Sequence, residues 1–272
     1  MIIQHNMSAM NTHRQLGVNS GNLSKNVEKL SSGYRINRAA DDAAGLSISE
    51  RMRAQIRGME QASRNSQDGI SLIQVAEGAL QTVNNMLVRI KELATQSANG
   101  TYDDAADRNR LDEELKELAK EVTNIKDNTK FNGIKLLDGS ASVDIQIGQE
   151  AGQKLTLEGA KFSIGAVNTA IGTWGLETAA KASTVLGSID DVINLVSAAR
   201  SYLGANQNRL ENTISNLNIT AENLTAAESR IRDVDMAKEQ MTFTKNNILT
   251  QASQAMLAQA NQLPQGVLQL LR

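Results

Sequence analysis

Few side chains in this sequence could do chemistry, and their spacing steers each of them toward a structural role. The two histidines, His5 and His13, stand eight residues apart on roughly one side of a helix, but no third ligand follows at metal spacing. Asp41-Asp42 could suggest a cation site. Standing before Ala43-Ala44-Gly45, the pair is better explained as a helix N-cap whose negative charge complements the helix dipole. Arg51, Arg53, Arg57 and Arg64 form a basic cluster without interleaved aromatics, and Glu50 and Glu60 stand close by. That pattern fits an inter-subunit or solvated face better than a nucleic-acid contact. There is no Gly-x-Ser-x-Gly, no Walker loop and no His-Glu-x-x-His. The cysteine count is 0, which removes thiol catalysis, disulfides and Cys-ligated zinc together. A protein that is not an enzyme and carries no cofactor is expected.

The elements that would have to position any site are long helices. Of 272 residues only 3% are aromatic and one, Pro264, is proline. Compact enzymes fill their cores with aromatic side chains, so the composition predicts extended helices around a thin aliphatic seam. A formal charge of −2 supplies no broad positive field for nucleic acid. No run of about 20 apolar residues appears, so no membrane span is expected. Met1–Met7 has neither a basic n-region nor a continuous apolar h-region, and a cleaved secretory signal is not expected there.

The strongest pattern lies in the C-terminal half. Ile189, Val196, Leu203, Leu210, Leu217, Leu224 and Ile231 recur every seven residues, with Val192, Ala199, Asn206, Thr213, Thr220 and Ala227 at the companion positions. An unbroken heptad predicts one long helix with a single seam, roughly 65 Å long, whose polar positions fix register at some cost in stability. In the N-terminal half, Ile73, Ala76, Leu80, Val83, Leu87 and Ile90 step by three and four beside a second row of Leu72, Val75, Ala79, Met86 and Leu93. Asn99-Gly100 ends that helix. A shorter one follows with Leu111, Leu115, Leu118, Val122 and Ile125 on one face. Its charges, Asp112 to Glu121, read as solvated. Asn132-Gly133 and Asp138-Gly139 are turn dipeptides, and Val143, Ile145, Ile147, Leu155 and Leu157 alternate as in a hairpin. Residues 166–181, rich in glycine and small side chains, read as an exposed loop. The fold class is mainly α: a long antiparallel helical rod or coiled-coil bundle with a small β-hairpin, and a separate pair of helices at the chain ends.

Those ends are apolar. Ile3, Met7 and Met10 open the chain, and Leu263, Val267, Leu268, Leu270 and Leu271 close it. A lone terminal helix cannot bury such a stripe, and short isolated helices are marginal in water. The termini must be either disordered or covered by other copies.

Several blocks, in order along the chain, resemble those of the bacterial flagellins. They are residues 30–45 (LSSGYRINRAADDAAG), 63–73 (SRNSQDGISLI), 129–133 (TKFNG), 223–237 (NLTAAESRIRDVDMA) and 267–272 (VLQLLR). The resemblance covers roughly 1–138 and 185–272, and the stretch between is too short for a large variable outer domain. It implies that residues 1–40 and 233–272 pair as a coiled coil lining the inner tube of a filament. Residues 41–232 then form a helical rod, with a hairpin at about 131–165 and an exposed loop at about 166–184. The apolar ends would pack against other subunits of the homopolymer, giving an extracellular flagellar protein exported through a flagellum-specific type III channel. An export chaperone and a cap protein are implied as partners. The resemblance also extends to Leu87–Ala94, similar to the helix recognised by the innate immune receptor Toll-like receptor 5, with Arg89, Leu93 and Glu114 on the contact positions. Spacing alone gives a different account of the first two: Leu93 as core and Arg89 as a rim charge. A hook-filament junction protein and a non-polymerising coiled-coil adaptor are the competing readings. An adaptor would have capped, polar ends.

Overall fold

In the computed structural model the described residues are 5–103, 106–140 and 142–270, with side chains as far as Gln262. The elements are α1 (Met7–Ser32), α2 (Ala43–Ser97), α3 (Asp107–Asn128), β1 (Lys130–Phe131), β2 (Ile134–Lys135), β3 (Val143–Gln146) and β4 (Lys154–Leu157). After them come α4 (Gly159–Phe162), α5 (Gly165–Gly172), α6 (Ala179–Arg232) and α7 (Met236–Leu270). Two compact units form: Met1–Ile56 with Glu222–Arg272, and Arg57–Ala221. Each unit takes a segment of α2 and a segment of α6.

The core of the second unit lies between α2 and α6, which run antiparallel: Lys91 pairs with Asp190, whereas Glu77 pairs with Arg200. The first apolar row of α2, from Ile73 to Ile90, is fully buried. The second row is mixed, with Leu72 and Leu93 buried, Ala79 and Met86 partly so and Val75 exposed. On α6 the seam residues Ile189, Val196, Leu203 and Leu210 are buried, as are Val192, Ala199 and Asn206 between them. Leu217, Leu224 and Ile231 continue the heptad but are only half-buried.

Residues 130–157 form two hairpins rather than one, β1–β2 and β3–β4. In the first, Asn132 (φ 48) and Gly133 (φ 82) both take left-handed backbone, the two-residue turn that matches strand twist. In the second, Val143 faces Leu157 and Ile145 faces Leu155, so the alternating residues share one side. That side lies against α2 and α6 at Gly69, where a Cβ would stand 2.5 Å from Ile145 Cδ1 and 3.3 Å from Leu210 Cδ1. A side chain there would force the Ile145 side chain to move aside.

The stretch 166–184, expected as an exposed loop, is folded. It holds most of α5 and the first turns of α6, and Val167, Ile171, Leu176 and Ala182 are all buried. Val167 and Ile171, four apart, share a helix face that packs along α3, and Thr123 Oγ1 donates to Asn168 Oδ1 at 2.7 Å across that contact. The contact rests on Val167, Asn168 and Ile171, with open space at Gly172, and composition alone does not distinguish such a helix from a flexible loop.

Candidate assembly surface

The first unit is built on α1 and α7, which lie side by side. Asn6 caps α1, its Oδ1 accepting from Ala9 N at 3.1 Å, and Gly33 ends the helix in the left-handed region (φ 74) with its N–H on Lys29 O. The contact face of α1 alternates half-buried Leu16, Leu23 and Leu30 with buried Asn19 and Asn26. Asn19 Nδ2 donates to Ser253 Oγ at 3.0 Å on α7. Asn26, with its amide oxygen turned toward α7, accepts from Asn246 Nδ2 at 3.2 Å and Phe243 N at 3.1 Å. The heptad shared by Leu16, Leu23 and Leu30 was visible in the sequence, but the asparagines interleaved with it disguised a seam as a polar helix.

Many other large apolar side chains of this unit point outward. Met7 is 69% exposed, Met10 61% and Met241 68%, and Val18, Val27, Met236, Ile248 and Met256 are exposed as well. Ile36 and Ala260 are the buried apolar residues of this unit among those described. So much apolar surface over so small a core is the mark of an interaction face. Of the sequence-predicted interface residues, Met7 and Met10 lie on this face. Leu263, Val267, Leu268 and Leu270 belong to α7, where the backbone is described and the side chains are not, and Ile3 and Leu271 lie outside the described residues.

A clasp joins the two chain segments at the foot of the pair. Tyr34 and Asp233 form an antiparallel bridge, Arg35 N donates to Arg232 O at 2.7 Å, and Val234 N donates to Gly33 O at 3.0 Å. The Arg35 guanidinium caps Ile231 O. Arg232 stacks 4.8 Å from the Tyr34 ring centre and pairs with Glu50 at 2.7 Å, while Arg53 lies 3.7 Å from Glu228. Arg53 of the basic cluster is thereby spent on carboxylates of this unit. Of the two aspartates, Asp42 Oδ1 caps α2 through Gly45 N at 2.8 Å. Asp41 Oδ2 accepts from Asn37 N and Arg38 N, and the Arg38 N–H foremost holds the Asp41 carboxyl below its ordinary range. Among the described residues no group of His, Asp and Glu is placed to hold a metal, and no helix is long and apolar enough to cross a membrane.

In the second unit, Arg89 Nε meets Glu114 Oε1 at 2.9 Å, and Glu92 pairs with the same guanidinium at 3.0 Å. Glu114 first, then Glu92, raises the Arg89 pKa. The structure thus brings Arg89 and Glu114 together on the surface, with the Arg89 side chain 49% exposed. Leu93, in contrast, is 0% exposed and belongs to the core. Asp112 also departs from expectation: it is no solvated charge but a buried acceptor for Leu176 N at 2.7 Å, with Lys116 Nζ at 2.5 Å from its other oxygen. That hydrogen bond to Asp112 is the main reason the Lys116 pKa is raised. Its i,i+4 spacing from Lys116 and its charged neighbours made it look like the rest of the outer face.

Comparison with known proteins matches the whole length of this architecture. Residues 3–142 match the bacterial flagellin N-terminal helical region and residues 186–271 the bacterial flagellin C-terminal helical region. A flagellin of Halalkalibacterium halodurans is 57% identical and one of Bacillus subtilis 51% identical, each aligned over 100% of both chains. A flagellar filament 33 kDa core protein of Treponema phagedenis is 47% identical over the same full lengths. The crystal structure of Bacillus cereus flagellin superposes with a TM-score of 0.52 at 34% identity, covering 61% of this chain and 94% of that one. A putative flagellar hook-associated protein from Vibrio parahaemolyticus, 15% identical with a TM-score of 0.58, shares the fold. With both terminal helical regions matched and full-length relatives at this identity, the chain belongs to the bacterial flagellin family: it is a structural subunit of the flagellar filament, not an enzyme.

Proposed function

We propose that the chain polymerises through α1 and α7, with Ile3, Met7, Met10, Leu263, Val267, Leu268, Leu270 and Leu271 in the contacts between copies. The observation that carries this reading is the outward apolar face of the terminal helix pair, on which Met7, Met10, Met241 and Met256 are all more than half exposed. Burying such side chains is worth about 2 kcal/mol each, and a filament of like subunits offers each face a partner. The residues of α7 beyond Ala260 also run past Asn6, the cap of α1, so α1 cannot cover them. Removing residues 263–272 should abolish filaments seen by electron microscopy and leave a soluble, helical second unit. Filaments of normal length from the shortened chain would sink the proposal.

The rest of the life cycle follows from the same face. Before assembly it has to be kept from other copies, which is the work of an export chaperone, and at the growing end a cap protein would hold arriving subunits in place. Passage unfolded through a type III channel suits a chain with 0 cysteines, which has no disulfide to mispair.

A second reading, recognition by Toll-like receptor 5, is favoured by one observation: the exposed Arg89–Glu114 pair joining α2 and α3. An arginine held in a fixed orientation by a carboxylate is a good binding anchor. Leu93, being core, would serve by supporting α2 from behind. Arg89→Ala should weaken receptor binding about tenfold in a direct affinity measurement, and unaltered affinity would remove the assignment.

A further inference from the structure

Pro264 stands in the interior of α7, which continues to Leu270. A proline has no N–H, so the carbonyl four residues earlier, Ala260 O, loses its helical donor. Ala260 is also among the buried residues of α7, where an unpaired carbonyl is costly. The missing donor is supplied from the far end of the chain: Asn6 Nδ2 lies 2.7 Å from Ala260 O. The same side chain caps α1 through its Oδ1, bonded to Ala9 N at 3.1 Å. One amide therefore serves two helix irregularities at once, the open start of α1 and the gap that Pro264 leaves in α7.

We propose that Asn6 and Pro264 form a register pin that fixes α1 axially against α7. A regular helix offers no free carbonyl along its length, because each is taken by the N–H four residues on. Pro264 frees one, at one level, and Asn6 can satisfy it only where that level meets the cap of α1. Sliding α7 by one turn, about 5.4 Å, would break the contact and leave Ala260 O unpaired. The seam below needs such a device. Its two other ties, Asn19 to Ser253 and Asn26 to Asn246, join α7 residues that are seven apart and aligned with Ala260. After a slip of one heptad in either direction one of these amides still meets a short polar side chain, Asn26 at Ser253 or Asn19 at Asn246. They specify the face and the heptad phase, and the pin selects one heptad among several. This also sets how much of α7 projects past α1 and is left for other copies.

The pin predicts a coupling that neither residue would show alone. In full-length chains, Asn6→Ser keeps the N-cap oxygen but is too short to reach Ala260 O, and Pro264→Ala restores the N–H that Ala260 O lacks. Hydrogen exchange of the Ala9–Thr12 amides is measured for wild type, both single variants and the double variant, each as dilute chain and as sedimented polymer. In whichever form these amides are protected, Asn6→Ser should speed their exchange about fivefold when Pro264 is present, the loss of one hydrogen bond. In the Pro264→Ala background it should change the rate by less than about twofold. Equal acceleration in both backgrounds would overturn the pin. So would amides unprotected in both forms, since no pairing would exist to be fixed. A wild-type chain that never sediments would count against the filament reading alone, and the pin would then be read from the dilute chain.

Discussion

Asp112 sits where three stretches of backbone meet, and its burial explains why an acidic residue is placed on the inner side of α3. Its Oδ1 takes the Leu176 N–H, while Ser97 Oγ donates to Leu176 O and Arg108 binds Ser97 O and Asn99 O at 2.8 Å each. The end of α2, the start of α3 and the approach to α6 are thereby tied without a continuous element joining them. A buried backbone N–H left without an acceptor costs more than its hydrogen bond contributes, because its hydration is not recovered. Asp112→Ala should therefore destabilise the second unit by about 2–3 kcal/mol, seen as a fall of roughly 5–10 °C in its thermal midpoint. Lys116→Ala, which removes only a partner 57% exposed to water, should lower that midpoint by less than about 2 °C. Equal effects of the two substitutions would show that the ion pair, not the bond to Leu176, carries the stability.

At the scale of elements, periodicity revealed which residues share a face and said less about what covers it. The α6 heptad from Ile189 to Ile231 is continuous in the helix, yet burial is complete only to Leu210. Seven-residue spacing fixes the orientation of Leu217, Leu224 and Ile231, but their cover depends on chain brought in from elsewhere. Leu93 was legible as core from its place in the row Leu72, Ala79, Met86. The expectation that it faces a receptor came from resemblance and conflicts with its burial. Arg89 and Glu114 lie 25 residues apart on different helices, so no local pattern could have joined them. The folded stretch 166–184 was hidden for another reason: α5 has two large apolar side chains, Val167 and Ile171, too few to show a helical period among small residues and glycine. On α1, asparagine in the seam masked a heptad that Leu16, Leu23 and Leu30 would otherwise have announced. Polar seams are hard to read because their role is to select one register, and that shows only when the partner helix is in place.

For the molecule as a whole, the two units divide their apolar residues in opposite senses. The second unit buries most of its leucines and isoleucines from Ile73 to Leu210 in one continuous core, whereas the described part of the first carries many of its large apolar side chains outward. A subunit made this way can fold one part alone and leave the other to be completed by assembly, so that assembly and folding of the termini become one free-energy change. Met10 separates this idea from a mere preference for helical ends. If its exposed side chain, 61% accessible in the single chain, enters an interface, Met10→Glu places a charge where water is excluded. The concentration needed for polymerisation, measured by sedimentation, should then rise more than about tenfold. Met10→Leu keeps volume and apolarity and should change it less than about threefold. Neither should move the thermal midpoint of the second unit, whose core lies in other residues. A glutamate at this position that polymerised as readily as leucine would place Met10 on a surface that stays wet in the filament.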